Sequence, residues 1–222
     1  MRRFAFGTEA GAIYTGVDSF PEIFMTSAAS SEPRVPLLER DQVPAEVAAL
    51  YDKLHADRGV VPNMFKALAN VPPLVLGVAA LLKPLMGEGA LPSWYKELIA
   101  TRVAALNQCA YCVSAHRHLA LQRGATPEQV ASLELDAAME GKSILDAFKR
   151  GPFTDKEKAG LRHADLLHLS GNAIDDRAFA DLSTQFSHEE IVELTAVAAA
   201  FELFSRINSS LRIPVTPLPY LP

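Results

Sequence analysis

Three helix-start signals in the second half of the chain constrain its fold most strongly. Each is a capping box, in which a Ser or Thr hydroxyl accepts from a backbone N–H three residues later and a Glu or Gln side chain binds the cap in return. The third box predicts a long helix over residues 187–211 with a nearly all-apolar centre at 194–204. We expect that helix to lie centrally or at a subunit interface. The boxes are Thr126 with Gln129, Thr154 with Glu157, and Ser187 with Glu190.

Proline and glycine divide the first half of the chain into further predicted helices. A helix that contains both cysteines is expected to end at Gly124, a typical C-cap residue. Pro84 is expected to end or kink the helix in which it lies, because proline removes a backbone donor and clashes with the preceding turn. No β-alternation of useful length is present, so we predict an all-α fold, a single domain of about eight to ten helices. The other predicted helices span residues 44–58, 62–70, 72–86 and 92–106.

The two ends of the chain differ in composition from the predicted helical domain. Residues 1–34 are rich in Ser, Ala, Thr and Gly and have no helical period, which predicts a flexible N-terminal extension. Residues 214–222 contain four prolines and are predicted to form an extended tail, because proline cannot continue a helix. The all-α domain is therefore expected to span residues 35–213.

Composition and charge argue against several classes of partner. The 222 residues carry a formal net charge of −5 and the basic residues are scattered, so we expect no nucleic acid partner. No apolar run reaches the roughly 18 residues that a membrane-spanning helix needs, and we expect no membrane association. Two cysteines are too few for an extracellular disulfide framework. Together these features favour a cytoplasmic protein.

Cys109 and Cys112 are the only cysteines, and His116 follows them at helical spacing. At about 100° per residue, all three fall within about 60° of one another on one helix face. Residues three apart on a helix have Cα atoms about 5 Å apart, a separation that a disulfide accepts. Because the closed loop would be very small, such a bridge adds little stability. Reversible redox chemistry is the better explanation for the pair.

The same face also predicts an activated thiol. An imidazole at His116 can take the proton of Cys112 or stabilise its thiolate, and Cys109 would then capture the oxidised sulfur as a disulfide. Glu97 lies about 18 Å from Cys109 if the chain continues as one straight helix. A turn at residues 106–108 would fold the two helices together and bring the Glu97 carboxylate to His116, where it would orient the base.

A local argument favours the opposite order of attack. If Asn107 caps the second helix, Cys109 lies in the first helical turn, where the helix dipole stabilises a thiolate. Cys109 would then be the attacking thiol. The residues alone leave both orders open.

Zinc is the main alternative for the chemistry of this segment. Cys109, Cys112 and His116 are residue types that zinc accepts. A closed structural site needs a fourth ligand, which is missing, and three ligands on one helix would be unusual. We therefore expect no metal and no bound cofactor.

Two other polar residues are predicted to be structural. Tyr111 lies about 200° around the ideal helix from Cys109 and is expected to pack against the protein. Arg206 on the long late helix is expected to form an ion pair at an interface rather than to bind substrate. Neither residue is assigned to the chemistry.

The spacing of these residues resembles the alkylhydroperoxidase D (AhpD) family, within the carboxymuconolactone decarboxylase-like superfamily. Glu97 is followed by eleven residues, then Cys109-x-x-Cys112, three more residues and His116. The similarity covers about residues 34–214. Tyr111 stands where the best-known member has a second histidine, and it is similar to the peroxidase-related branch.

This resemblance implies an all-α homo-oligomer, a dimer, trimer or hexamer, that reduces peroxides. By resemblance, Cys112 attacks the peroxide, Cys109 resolves the product as a disulfide, and Glu97 and His116 form the proton relay. The implied partners are a peroxide substrate and a thiol electron donor protein, such as a dihydrolipoyl adaptor.

We therefore predict a thiol-dependent alkyl hydroperoxide reductase of peroxiredoxin type with an antioxidant role. The alternatives are a non-catalytic redox-sensing oligomer and a carboxymuconolactone decarboxylase-like lyase. An apolar pocket between the helices at 72–86 and 187–211 would suit an organic hydroperoxide.

Overall fold

The computed structural model describes residues 32–137 and 151–217, with side chains omitted at 134–137. Within this part of the chain all regular structure is helical, with nine α-helices and no strand, which confirms the predicted all-α class. Most of the predicted extension at 1–34 lies outside the described residues, as does the tail beyond 217. The domain boundaries at 35 and 213 therefore stay predictions.

The helices follow the predicted order along the chain. Short 3-10 turns also occur at Arg40–Gln42 and Gly171–Ala173. The α-helices are α1 Ala45–Arg58, α2 Asn63–Leu68, α3 Pro72–Met86, α4 Ser93–Leu106, α5 Ala110–Arg123, α6 Pro127–Ala137, α7 Asp155–Leu169, α8 Asp176–Ser183 and α9 His188–Ser210.

Local signals account for most of these boundaries. All three capping boxes are present with both of their hydrogen bonds. Gly124 ends α5 in the left-handed conformation, with φ 115°. The expected end at Pro84 is wrong, because α3 continues to Met86. Pro84 lies in the last turn, where only the final hydrogen bonds of the helix are affected.

Helix α4 lies at the centre of the core. Eleven of its fourteen residues are buried, including the charged residues Lys96, Glu97 and Arg102. It packs against α5, α6, α7 and α9. Helix α9 is the second central element, which confirms the predicted burial of the long late helix. Within the described ranges, no helix is both long enough and apolar enough to cross a membrane.

A buried ion pair joins three of these helices. The Arg102 guanidinium in α4 donates two hydrogen bonds to the Asp165 carboxylate in α7, at 2.8 and 3.0 Å. It donates a third to the Leu133 carbonyl in α6, at 3.1 Å. Neither charged side chain is exposed to solvent. Removing either partner would leave an uncompensated buried charge, a cost of about 3–5 kcal/mol.

We predict that Gly160→Ala destabilises the protein by about 1–3 kcal/mol. A Cβ at this position in α7 would lie 2.2 Å from the hydroxyl oxygen of Tyr95, which is buried and bonded to the Glu157 carbonyl. The measurement is the free energy of unfolding in urea. The matched control is Gly77→Ala in α3, where a Cβ meets no described atom within 4 Å. That variant should gain about 0.5–1 kcal/mol, and equal effects at both positions would contradict the prediction.

Candidate active site

The carboxylate of Glu97 is brought to His116 by the reversal between α4 and α5. The chain turns at Asn107 and Gln108, and Gln108 takes a left-handed φ of 53°. The two helices then pack side by side, and Glu97 Oε2 lies 2.5 Å from His116 Nδ1. Both expectations, the turn and the contact that it produces, are confirmed.

Arg123 is a partner of Glu97 that the motif did not reveal. Its Nη1 lies 2.9 Å from Glu97 Oε1 and also donates to the Met86 carbonyl at 2.7 Å. The Glu97 side chain is only 1% exposed, so the Arg123 guanidinium offsets a substantial desolvation penalty. Arg123 lies seven residues after His116, two turns along the same helix face. This spacing is the sequence signal that could have indicated Arg123 as a further partner of Glu97.

Cys109 lies at the start of α5 and not within it. Asn107 ends α4, Ala110 begins α5, and Cys109 is the N-cap residue with its sulfur accepting from the Cys112 backbone N–H at 3.4 Å. The condition on which the dipole argument depended, that Asn107 caps the second helix, is therefore not met. The positive φ of Gln108 separates the two helices and leaves the next residue to cap. Both cysteines are free thiols.

The two thiols differ strongly in acidity. A hydrogen bond from the Cys112 thiol lowers the pKa of Cys109 to about 6 against the effect of burial, with help from the Cys112 backbone N–H and the hydroxyls of Ser209 and Ser205. That same bond, burial and the negative charge on Cys109 raise the pKa of Cys112. Asn208 in α9 acts in the opposite direction by donating from Nδ2 to the Cys112 sulfur at 3.3 Å. Cys109 is therefore the more acidic of the two thiols.

A cavity of about 350 Å³ opens beside this cluster. Its wall is mainly apolar and comes from α1, α2, α3, α4, α5 and α9, so it includes both helices that were expected to form a pocket. Cys112, His116, Glu97 and Asn208 line it, whereas Cys109 does not. A small molecule in the cavity would therefore meet Cys112 first. Other lining side chains are Leu54, Met64, Leu82, Met86, Phe201 and Phe204.

Comparison with known proteins finds a family model and two relatives that match parts of this chain. Residues 72–149 match the model of the carboxymuconolactone decarboxylase family. Uncharacterized protein YnjA of Escherichia coli (strain K12) is 23% identical over 127 residues, which are 57% of this chain and 64% of that protein. Uncharacterized protein 4 in cox locus of Paracoccus denitrificans is 43% identical over 51 residues, 23% of this chain and 46% of that protein. The matches thus span less than two thirds of either relative.

Solved structures agree on the fold. A peroxidase-related protein from Ralstonia eutropha JMP134, described as an alkylhydroperoxidase AhpD core, aligns with a TM-score of 0.73 and 22% identity, covering 83% of this chain and 93% of its own. A peroxidase-related protein from Silicibacter sp. TM1040 aligns equally well, with TM-score 0.73, 22% identity, and coverage of 86% and 96%. The debrominase Bmp8 aligns with TM-score 0.64, 20% identity, and coverage of 84% and 93%. These matches show that the chain has an AhpD-like fold.

In this AhpD-like fold, Tyr111 has a packing role. Its buried phenol oxygen accepts from the Met64 backbone N–H at 3.1 Å and from the Thr216 hydroxyl at 3.2 Å. Burial raises its pKa above the ordinary value of a tyrosine. The phenol therefore joins α5 to the start of α2 and to the segment after α9.

The remaining polar residues considered from the sequence lie outside the cluster. His163 is buried against the Thr195 hydroxyl at 2.9 Å, and burial lowers its pKa. Arg206 pairs with Glu202 one turn earlier on α9, at 2.9 Å, and its expected ion pair at an interface stays a prediction. Among the described residues, no group of three or more His, Cys, Asp or Glu side chains is arranged to hold a metal ion.

We predict that the reduced protein shows one thiolate titration with a midpoint near pH 6, measured by thiolate absorbance in the ultraviolet. Cys109 is deprotonated above this pH and protonated below it. Cys112→Ala should raise the midpoint, because it removes the largest cause of the lowered pKa. A wild-type titration in which both thiols ionise together near pH 8.5, the ordinary thiol value, would contradict the assignment.

Proposed function

We propose that this AhpD-like protein is a thiol-dependent hydroperoxide reductase in which Cys112 attacks the peroxide. One observation carries the proposal: the reduced Cys112 thiol and a carboxylate–imidazole pair line the same apolar cavity, and the second free thiol, Cys109, lies three residues before Cys112. The family assignment supports an enzyme-related fold and leaves the reaction itself as our inference.

The first step transfers one oxygen atom to Cys112. His116 accepts the thiol proton, and Glu97, bonded to Nδ1, holds the ring and stabilises the imidazolium that forms. The thiolate attacks the outer peroxide oxygen; a sulfur–oxygen bond forms and the oxygen–oxygen bond breaks. The alkoxide that leaves takes the proton from His116. The products are an alcohol and a sulfenic acid on Cys112.

The second step forms the disulfide. The Cys109 thiolate attacks the sulfenic sulfur, and hydroxide leaves and takes a proton from solvent. The low pKa of Cys109 suits this step, because the resolving thiol is already ionised at neutral pH. Cys109 is the N-cap residue and Cys112 lies three residues later in the first turn of α5. We therefore expect a disulfide between them to form without refolding of the helix.

Access decides the order of attack in this proposal. Acidity alone favours Cys109, whose pKa is lower, but both thiols are 2% exposed and only Cys112 lines the cavity. Cys112 lines the cavity beside His116 and can lose its proton as the peroxide approaches. A less acidic thiolate is also the stronger nucleophile once it has formed.

The proposal also names partners. Restoring two thiols from the disulfide needs two electrons and two protons, so an external thiol reductant such as a dihydrolipoyl adaptor is required. An organic hydroperoxide with an apolar body suits the cavity wall better than hydrogen peroxide does. Assembly into a homo-oligomer, a dimer, trimer or hexamer, is part of the same proposal.

Single cysteine variants test the order of attack. Cys112→Ser should abolish cumene hydroperoxide consumption in the presence of dihydrolipoamide. Cys109→Ser should also stop turnover yet consume one equivalent of peroxide, with a sulfenic acid on Cys112 detectable by dimedone labelling and mass spectrometry. If Cys109 carries the label in the Cys112→Ser variant instead, the proposed order is wrong.

Glu97→Gln tests the proton relay. The amide cannot stabilise an imidazolium on His116, so kcat/KM for cumene hydroperoxide should fall about 100-fold. The control is Glu128→Gln, an exposed glutamate at the start of α6, which should leave kcat/KM unchanged. An active Glu97→Gln enzyme would remove Glu97 from the relay.

The two alternative functions give different results in the same preparations. A redox-sensing oligomer would change its size on oxidation, measured by light scattering, without catalytic loss of peroxide. A carboxymuconolactone decarboxylase-like lyase would release carbon dioxide from carboxymuconolactone. It would keep this activity in the Cys112→Ser variant.

A further inference from the structure

Asn208 in α9 contacts the sulfur of Cys112 in an unusual way. Its Nδ2 lies 3.3 Å from Cys112 Sγ and 3.6 Å from the thioether sulfur of Met64. The residue is 1% exposed and lines the cavity. Within the described part of the chain, its Oδ1 is buried and has no hydrogen-bond partner.

The chemistry of Met64 fixes the orientation of this amide. A thioether sulfur has no hydrogen to donate, so the group that faces it must be the NH₂ and not the carbonyl oxygen. The NH₂ therefore points towards the two sulfur atoms, and Oδ1 is directed away from them. Leaving a buried acceptor without a donor is unfavourable, so Oδ1, in a residue that lines the cavity, is available to accept from a bound molecule.

Other asparagine side chains in the fold differ from Asn208. The NH₂ of Asn63 donates to the Pro214 carbonyl, and that of Asn70 donates to the carbonyls of Pro36 and Ala67. Those amides join backbone segments. The NH₂ of Asn208 instead faces the reactive sulfur, which places it among the reacting groups.

We propose that Asn208 is a catalytic residue that binds both reactants, with Nδ2 stabilising the Cys112 thiolate and Oδ1 accepting the O–H of the hydroperoxide. The inference rests on the proposed peroxidase function. It assigns to α9 a substrate contact in addition to the Glu97–His116 pair on α4 and α5.

Asn208 gives and takes no proton in this reaction. The hydrogen on the outer peroxide oxygen stays on that oxygen when it moves to Cys112, so Oδ1 accepts the same hydrogen before the transfer and from the sulfenic acid after it. The alkoxide, formed at the inner oxygen, receives its proton from His116. By holding the outer oxygen towards Sγ, Oδ1 aligns the oxygen–oxygen bond with the attacking sulfur.

The test compares two reactions of Cys112 in the Cys109→Ser background, with each rate corrected for the thiolate fraction measured by absorbance. Asn208→Leu has nearly the same volume and loses both polar groups. The rate constant for cumene hydroperoxide should fall about tenfold, whereas the rate constant for iodoacetamide, which has no O–H to hold, should stay the same. The thiolate midpoint should rise, because the Nδ2 donor is lost.

Two further variants keep the result interpretable. Asn208→Asp keeps an acceptor and the side-chain shape but loses the NH₂ donor and adds charge, so it should raise the thiolate midpoint even if Asn208→Leu fails to fold. Ser210→Ala, at the exposed end of α9, is the control and should change none of these values.

The outcomes separate this inference from the proposed function. If Cys109→Ser reacts rapidly with peroxide and Asn208→Leu lowers both rate constants equally or neither, the peroxide contact is wrong. If Cys109→Ser reacts with peroxide no faster than free cysteine, the proposed function fails and the peroxide contact fails with it. The thiolate midpoint is independent of peroxide, and an unchanged midpoint in both Asn208 variants would overturn the contact with Cys112.

Discussion

Helix α4 is buried on nearly all sides and yet carries three ionisable side chains, and the rest of the structure depends on how these charges are compensated. An unpaired charge in a protein interior costs several kcal/mol, so each one needs a partner on a neighbouring helix. The four partners lie on three different helices, and α4 is thereby held against α9, α5 and α7. The pairs are Lys96 with Glu193, Glu97 with His116 and Arg123, and Arg102 with Asp165.

Of these three charged residues of α4, only Glu97, with its partners His116 and Arg123, lines the cavity. A contact that compensates a buried charge can therefore also take part in the reaction. Arg102 and Asp165 are fully buried and bind each other through two hydrogen bonds, so their charges are already satisfied. Glu97 binds a titratable imidazole whose ring lies at the cavity wall. The same carboxylate that stabilises the core therefore orients a base towards a bound molecule. Because Arg123 holds its other oxygen, the carboxylate has little freedom to turn away.

The sulfur pair depends on a different boundary, the break between α4 and α5. The left-handed Gln108 ends the first helix, and the next residue becomes the cap of the second. As the cap residue, Cys109 accepts a hydrogen bond from the Cys112 backbone N–H at its sulfur. Cys112, one turn later, donates its thiol hydrogen to the same sulfur. Local geometry thus makes two chemically identical thiols unequal. The more acidic thiol lies away from the cavity, and the less acidic thiol lines it.

Local signals in the sequence determined the helices and the face on which the reactive residues lie. These signals act within a few residues, so they do not depend on how the helices pack. They include the capping boxes, Gly124 and the spacing of Cys112 and His116. Packing alone decided that Cys109 lies away from the cavity, that Arg123 binds Glu97 and that Asn208 reaches Cys112. The last contact joins residues 96 positions apart, and no periodicity predicts such a pair. The sequence by itself therefore determined which groups are available, and the tertiary structure decided which of them meet, because contacts between distant residues depend on how whole helices pack.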